Sequence, residues 1–364
     1  MPNRTLSPDC ITRRRFLTLA GVAGLALAAC GGNAQPGPSS TAPAATSVAP
    51  AASGAQEAAI PQQMIDAAKK EGPLTFYSST TPNTIQHVAD AFKARYGIEI
   101  QFTRLASTPM AQRYAAEAEA GNIAADVVQI SDQNFFEQAV TKGWLAKLDN
   151  LPALATYPKD SWNGTFAKAH IGLLSLMWNT TVVQPADAPK GWEDVLKPVF
   201  KGKILLVDLR NAPILWSWGL ALMKTYGEDF LKKLGAQEPR LVASSVPGSQ
   251  QLAAGAGALL VPGTHSDTLE LQKDKAPIQE IIPSPAVGNE SFVGVSTKAP
   301  HPNGARLLFN FIISPEAQSI YVKDGYASVL TLPGADPLPP GYVSPSPKEA
   351  LAASTKMLDL LGIH

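Results

Sequence analysis

Polar side chains able to hold a ligand gather in this sequence wherever an apolar run stops. Ser78-Ser79-Thr80-Thr81 follows Leu74-Thr75-Phe76-Tyr77, and Ser131-Asp132 follows Asp126-Val127-Val128-Gln129-Ile130. Asp208-Leu209-Arg210-Asn211 follows Ile204-Leu205-Leu206-Val207. Ser244 to Gln250, with Ser249 at its end, follows Leu241-Val242-Ala243, and Thr264-His265-Ser266 follows Ala258 to Val261. Hydroxyls beside backbone N–H groups at a helix start hold anions, and an arginine offers a two-pronged fork for a carboxylate or phosphate. Each cluster also has a plainer reading. One Ser or Thr caps a helix, Arg210 can pair with a surface acid, and a lone His265 is an ordinary loop residue. Four hydroxyls in one turn exceed what capping needs. Three hydrolase and nucleotide signatures are missing: G-x-S-x-G, H-E-x-x-H and G-x-x-x-x-G-K. The five histidines are scattered.

These clusters need strands and helices to aim them. The apolar runs read as buried strands, and helical spacing follows each: Ile85, Val88, Ala89, Phe92 and Tyr96 after the first, a helix over about 109–120 closed by Gly121-Asn122, and Ile214 to Thr225 after the fourth. Repeated strand–helix alternation predicts an α/β fold with a largely parallel sheet. Ligands of such sheets sit beyond the carboxyl ends of the strands, which puts Ser78–Thr81 and Ser131–Asp132 on one rim. Gly172 to Trp178 reads as a strand passing between two lobes, and Phe292 to Ser296 as a strand returning to the first. Trp216 and Trp218 are assigned to packing. So is the stripe of Ala305, Leu308, Phe309 and Ile312.

The chain's start is an address. Thr12-Arg13-Arg14-Arg15-Phe16-Leu17 fits a twin-arginine export pattern, and an uncharged apolar run to Ala29 follows. That run is shorter than the roughly 20 residues a membrane-crossing helix needs. It ends in Leu27-Ala28-Ala29-Cys30, a lipobox whose cysteine would carry a lipid. Gly31 to Ala59 is rich in Gly, Pro, Ser, Ala and Thr, with Glu57 its only charge, and reads as a disordered tether. The chain has 30 basic and 30 acidic residues; four arginines and one acid precede Cys30, leaving 26 against 29, a balance of −3. With no basic run, a nucleic-acid partner is not expected. The only cysteines are Cys10 and Cys30, so a disulfide, a zinc cluster or a cysteine nucleophile in the body is excluded.

A family resemblance joins these pieces. Ala67-Ala68-Lys69-Lys70-Glu71-Gly72 leading into Leu74–Ser79 resembles the opening of family 1 extracellular solute-binding proteins of ABC importers, in the branch that holds ferric-iron-binding proteins. Glu117–Gly121 with Ala125–Val128, Trp178-Asn179-Thr180 with Pro189–Val195, and Lys201–Ile204 follow in the family's order. The most specific match is Ala299–Gln318, and the resemblance covers roughly residues 61 to 335. It implies two α/β lobes of the type II periplasmic-binding-protein kind, joined by crossing strands, with ligand clamped between them. It also implies a pair of adjacent tyrosines near Thr264 to Ser266 in the iron-binding relatives. This chain has no adjacent tyrosines anywhere. Ferric iron wants anionic oxygen ligands, so the departure argues against an iron cargo.

The resulting expectation is a lipid-anchored receptor, facing the periplasm or cell exterior, that closes on a small anionic or zwitterionic solute and delivers it to an ABC permease. It is expected to be a monomer and no enzyme, with no cofactor. The expected segments are a signal over 1–29, a tether over 30–60, lobe one over 61–170 and 283–335, lobe two over 171–282, and a tail over 336–364. Expected ligand contacts are Ser78, Ser79, Thr80, Ser131 and Asp132 from lobe one and Arg210, Asn211, Ser249, Thr264, His265 and Ser266 from lobe two, with Cys30 lipidated. The rivals are a ferric-iron or other metal receptor using Asp132, His265 and a synergistic anion, a secreted hydrolase, and a non-transport adhesin.

Overall fold

The computed structural model describes residues 60–363. The expectations for the export motif, Cys30 and the tether lie outside the described residues. Among those described, no helix is long and apolar enough to cross a membrane.

The first lobe opens with α1 (Gln62–Glu71), β1 (Leu74–Ser78), α2 (Pro82–Tyr96), β2 (Ile100–Arg104), α3 (Ser107–Glu119), β3 (Val127–Ile130) and α4 (Gln133–Thr141). Pro82 begins α2, where its missing N–H leaves no bond unmade, and Gly97 closes it in the left-handed conformation, at φ 72°. β1 lies between β2 and β3, parallel to both, so Ser78 pairs with Arg104 on one side and Gln129 on the other. Their carboxyl ends therefore share one rim.

A single long strand, β4 (Phe166–Asn179), then leaves this lobe. The second lobe holds β5 (Ile204–Val207), α5 (Pro213–Tyr226), α6 (Glu228–Gly235), β6 (Arg240–Val242), α7 (Ser245–Ala253), β7 (Leu259–Thr264), α8 (His265–Lys273) and β8 (Ile278–Ile281). The return is β9 (Ala286–Val295), followed by α9 (Pro302–Ile312), α10 (Pro315–Lys323) and β10 (Tyr326–Ala327). The curled sheet runs β2-β1-β3-β9-β4-β7-β5-β6, with β8 and β10 on β4. β5 is parallel to β6 and β7, while β4 and β9 cross antiparallel to each other and to the next strands in this order, β7 and β3. The mixed α/β class and the two-lobed arrangement agree with expectation. The crossing strand is longer than the run Gly172 to Trp178 suggested, and position 170 falls inside it.

The apolar core follows the lobes. Leu74, Phe76, Phe92, Leu308 and Phe311 belong to one cluster, with Tyr114, Phe136 and Phe292 in a satellite on the opposite face of that sheet. Trp192, Leu206, Trp218 and Leu260 belong to the second-lobe cluster. Trp218 is fully buried and Trp216 nearly so, as packing residues should be. The tail, left open by the sequence, packs on the second lobe. Its β11 (Tyr342–Val343) pairs with β9, and α11 (Pro347–Ala352) and α12 (Ser354–Leu361) follow. Ala350, Met357, Leu361 and Ile363 join the second-lobe core.

Candidate functional site

The strand ends meet across a cavity of about 60 Å³ between the lobes. By the rule that one water needs about 10–15 Å³ on this measure, the space holds roughly four to six waters. The first lobe contributes Ser79, Arg104 and Ser107 to its wall; the second contributes Asn211, Ser244, Ser245 and Thr264. Leu174 and Asn289 reach it from the crossing strands. The turn after β1 and the turn after β7 thus share one hollow.

Arg104 is its one cation. It ends β2, and the parallel register with β1 delivers it to the rim beside Ser78. Its Nε donates to the Thr80 carbonyl at 3.4 Å, and its Nη1 donates to the Ser244 hydroxyl of the other lobe at 3.4 Å. Both bonds are long, so most of the fork's five donors remain available to a ligand. Burial pushes the guanidinium's pKa down, opposed by the charge of Asp267 and by Tyr326. Even so, arginine starts high enough to stay charged. On the same wall, the Ser107 hydroxyl donates to that of Ser79 at 3.1 Å and accepts from the Ser131 N–H at 3.2 Å. This ties the ends of β1, β2 and β3 together.

Three of the sequence-predicted residues, Ser79, Asn211 and Thr264, line this cavity. The structure corrects the others in part. Ser78 is fully buried, and its hydroxyl accepts from the Thr80 N–H at 3.2 Å. Thr80 is also buried, held by His170 Nε2 at 3.1 Å and by the Gln129 side-chain amide at 3.2 Å. These two shape the turn from behind. Ser249 was placed on an exit loop, but α7 already starts at Ser245, so Ser249 is a buried helical residue bonded to the Val246 carbonyl. Ser131 borders a smaller adjoining hollow with Ser217 and Glu290. Asp132 caps α4, accepting from the Phe135 N–H at 3.0 Å, and burial raises its pKa.

Arg210 is the largest correction. Asp208, two residues earlier, grips its guanidinium at 2.8 and 2.9 Å, so the fork serves a local pair. It faces a separate groove that it shares with Asp132 and Trp216. His265 and Ser266 also point elsewhere. His265 pairs with Glu280, which raises its pKa against the opposing effect of burial, and it borders a pocket behind the crossing strands. Ser266 is buried, 3.3 Å from the Thr264 hydroxyl. Asp132 and His265 line different pockets, so they do not form one metal site. Among the described residues, no group of three or more His, Cys, Asp and Glu could hold a metal ion. Sequence reasoning missed Arg104, Ser107, Ser244, Ser245 and Asn289. The sequence signal for Arg104 was its place just past the alternating stretch Ile98 to Phe102 and before Ser107-Thr108.

The family model described as bacterial extracellular solute-binding protein matches residues 122–351. The chain belongs to that family. This solute-binding protein shares its fold with the substrate-binding protein of an ABC transporter from Agrobacterium tumefaciens, with a TM-score of 0.72 at 15% identity over 80% of this chain and 94% of the other. AfuA from Actinobacillus pleuropneumoniae, seen with exogenous fructose-6-phosphate bound, gives a TM-score of 0.66 at 20% identity over 80% and 99%. In sequence, the solute-binding protein is 22% identical to iron uptake protein A1 of Synechocystis sp., over 72% of this chain and 76% of that one. The structural matches identify the two-lobed arrangement as the type II periplasmic-binding-protein fold, and the family match makes the protein an extracellular solute-binding protein.

Proposed function

We propose that this solute-binding protein is exported, tied to the membrane through a lipid on Cys30, and acts as a monomer that closes on a small anionic or zwitterionic solute. It then presents that solute to its permease. Residues 61–170 and 283–335 form one jaw and 171–282 the other, with the tail bound to the second. One observation carries the reading: a single guanidinium, Arg104, joins the two lobes at the cavity between them, donating to the Thr80 carbonyl of one and the Ser244 hydroxyl of the other. A ligand that accepts from Arg104 and Ser79 on one side and contacts Ser244, Ser245 and Thr264 on the other has most of these contacts only when the lobes meet. Such differential contact is what drives closure.

The test is a thermal-shift screen of the full chain against small organic acids, amino acids, phosphate and metals. A binder at a hundredfold its Kd stabilises by about 2.7 kcal/mol. The reading expects at least one small anion to raise the midpoint of the native protein and not that of Arg104→Gln. If only Fe(III) stabilises both, the reading is wrong. Iron is the second candidate cargo, favoured by the Synechocystis relative. The cavity wall weighs against it, since it carries no tyrosine, histidine or carboxylate. A synergistic anion on Arg104 would have to supply the oxygens. Bound iron without a phenolate ligand should show no charge-transfer colour. A hydrolase would turn over esters or phosphates and lose that turnover with one serine, and no such pattern supports it.

A further inference from the structure

The cavity that holds Arg104 also has an apolar side, which the reading so far leaves unused. β7 lies between β4 and β5 in the sheet. Leu174 of β4 stands opposite Thr264 of β7. On the other side, Leu206 of β5 pairs with Val261, which brings the next residues, Val207 and Pro262, side by side. Residues two apart on a strand share a face, so Pro262 and Thr264 turn the same way. Leu174, Val207 and Pro262 thus form one patch across three strands, and all of them line the cavity. Ile214 and Leu215, from the first turn of α5, line it too. The charge enters from the first lobe, where Arg104 ends β2 and donates to the Thr80 carbonyl. No lining residue carries a negative charge. The wall therefore joins a single cation and its neighbouring hydroxyls to a hydrocarbon surface.

We propose that the cavity selects a short-chain monocarboxylate, with its carboxylate on Arg104 and its hydrocarbon chain on the patch of Leu174, Val207, Pro262, Ile214 and Leu215. This rests on the proposed solute-receptor reading and narrows it. An inorganic anion satisfies only the Arg104 end and leaves the apolar patch to water. An amino acid of the same length sets its ammonium group on that patch, where no carboxylate meets it, and burying an unpaired charge is costly. A dicarboxylate does the same with its second charge. A monocarboxylate meets both ends, the usual division of a small-molecule pocket between a few orienting polar groups and an apolar body. The size agrees: a cavity of about 60 Å³ suits a solute of roughly four to six heavy atoms when each takes the room of one water, which is the range from acetate to butyrate.

The experiment is calorimetric titration of the full chain with acetate, propionate, butyrate and β-alanine. Each added methylene should tighten binding about fourfold, the worth of one buried CH₂, so butyrate should bind at least tenfold more tightly than acetate. β-Alanine carries an ammonium group where butyrate ends in a methyl, and should bind at least tenfold more weakly than butyrate. Ile214→Thr should lower the butyrate-to-acetate ratio at least threefold and leave acetate within twofold of the native protein. Val207→Thr, which nearly keeps the side-chain shape, should lower the ratio as much and serves if Ile214→Thr does not fold. A native ratio below tenfold overturns the inference. So does β-alanine within tenfold of butyrate, a ratio that neither substitution lowers threefold, or no binding of any of the three carboxylates. Inorganic phosphate separates this failure from that of the parent reading. If phosphate stabilises the native protein and not Arg104→Gln, only the monocarboxylate inference falls. If no solute in the screen depends on Arg104, the solute-receptor site itself is misplaced.

Discussion

Replacing Arg104 by glutamine should weaken solute binding more than any other single change. The guanidinium makes two long bonds, to Thr80 and Ser244, so it carries unspent donor capacity. A hydrogen bond to a charged group contributes about 1.5–3 kcal/mol, and a fork makes two. Glutamine keeps one neutral bond, worth about 1 kcal/mol. The net loss is then about 2–5 kcal/mol, or roughly 30- to 4,000-fold in Kd. Calorimetry with the best small anion or zwitterion from the screen reads it directly. The fold should survive, because Arg104 ends an outer strand of the sheet and anchors no buried ion pair. A well-folded variant that loses less than threefold in affinity would refute the assignment of the anion to this residue.

Other perturbations test the frame around it. Arg210→Ala should change solute affinity less than twofold by the same titration, because Asp208 already occupies that fork outside the cavity. Gly235 on α6 leaves no room for a side chain: an added Cβ would lie 2.5 Å from the Leu361 carbonyl oxygen of α12. Gly235→Ala should therefore cost about 1–3 kcal/mol in urea unfolding and loosen the tail from the second lobe, read as faster hydrogen exchange over residues 354–361. His170 is buried against Tyr321 and Tyr326, and desolvation lowers its pKa from 6.5 to about 3. The unfolded chain takes up this proton below about pH 6.5 while the folded one does not. Stability should thus fall as pH drops from 6.5 toward 3, by up to about 4–5 kcal/mol from this group. His170→Gln should flatten that part of a urea-midpoint profile measured from pH 7 to 4.

Much of this frame was legible in the sequence. Apolar runs such as Leu74–Tyr77 and Ile204–Val207 can only be buried strands, and hydroxyl-rich turns after them fall at carboxyl ends because the strand–helix alternation forces parallel pairing. That was enough to bring Ser79, Asn211 and Thr264 to one cavity. What failed depended on which way a side chain turns. Arg210 looked like a ligand fork because a strand end and a helix start flank it, yet the cap Asp208 is near enough to hold it. Ser249 looked like a loop hydroxyl because it lies near the end of the polar stretch Ser244 to Gln250 that follows an apolar run; α7 begins within that stretch, at Ser245. Arg104 had a weaker signal because the residues before it, Ile98 to Thr103, alternate apolar and polar instead of forming an apolar run; only pairing with β1 carries the strand on to Arg104. Asn289 had no local signal at all. It faces the cavity only because β9 crosses between the lobes, a property of the whole sheet.

The most direct measurement is a crystal structure of the protein with the tightest solute from the screen. The account predicts density for that solute between the lobes, its anionic group within 3.2 Å of the Arg104 guanidinium and in contact with Ser79 or Ser107 on one side and Ser244 or Ser245 on the other. Solute bound in the Arg210 groove, or held by one lobe alone with Arg104 untouched, would contradict it.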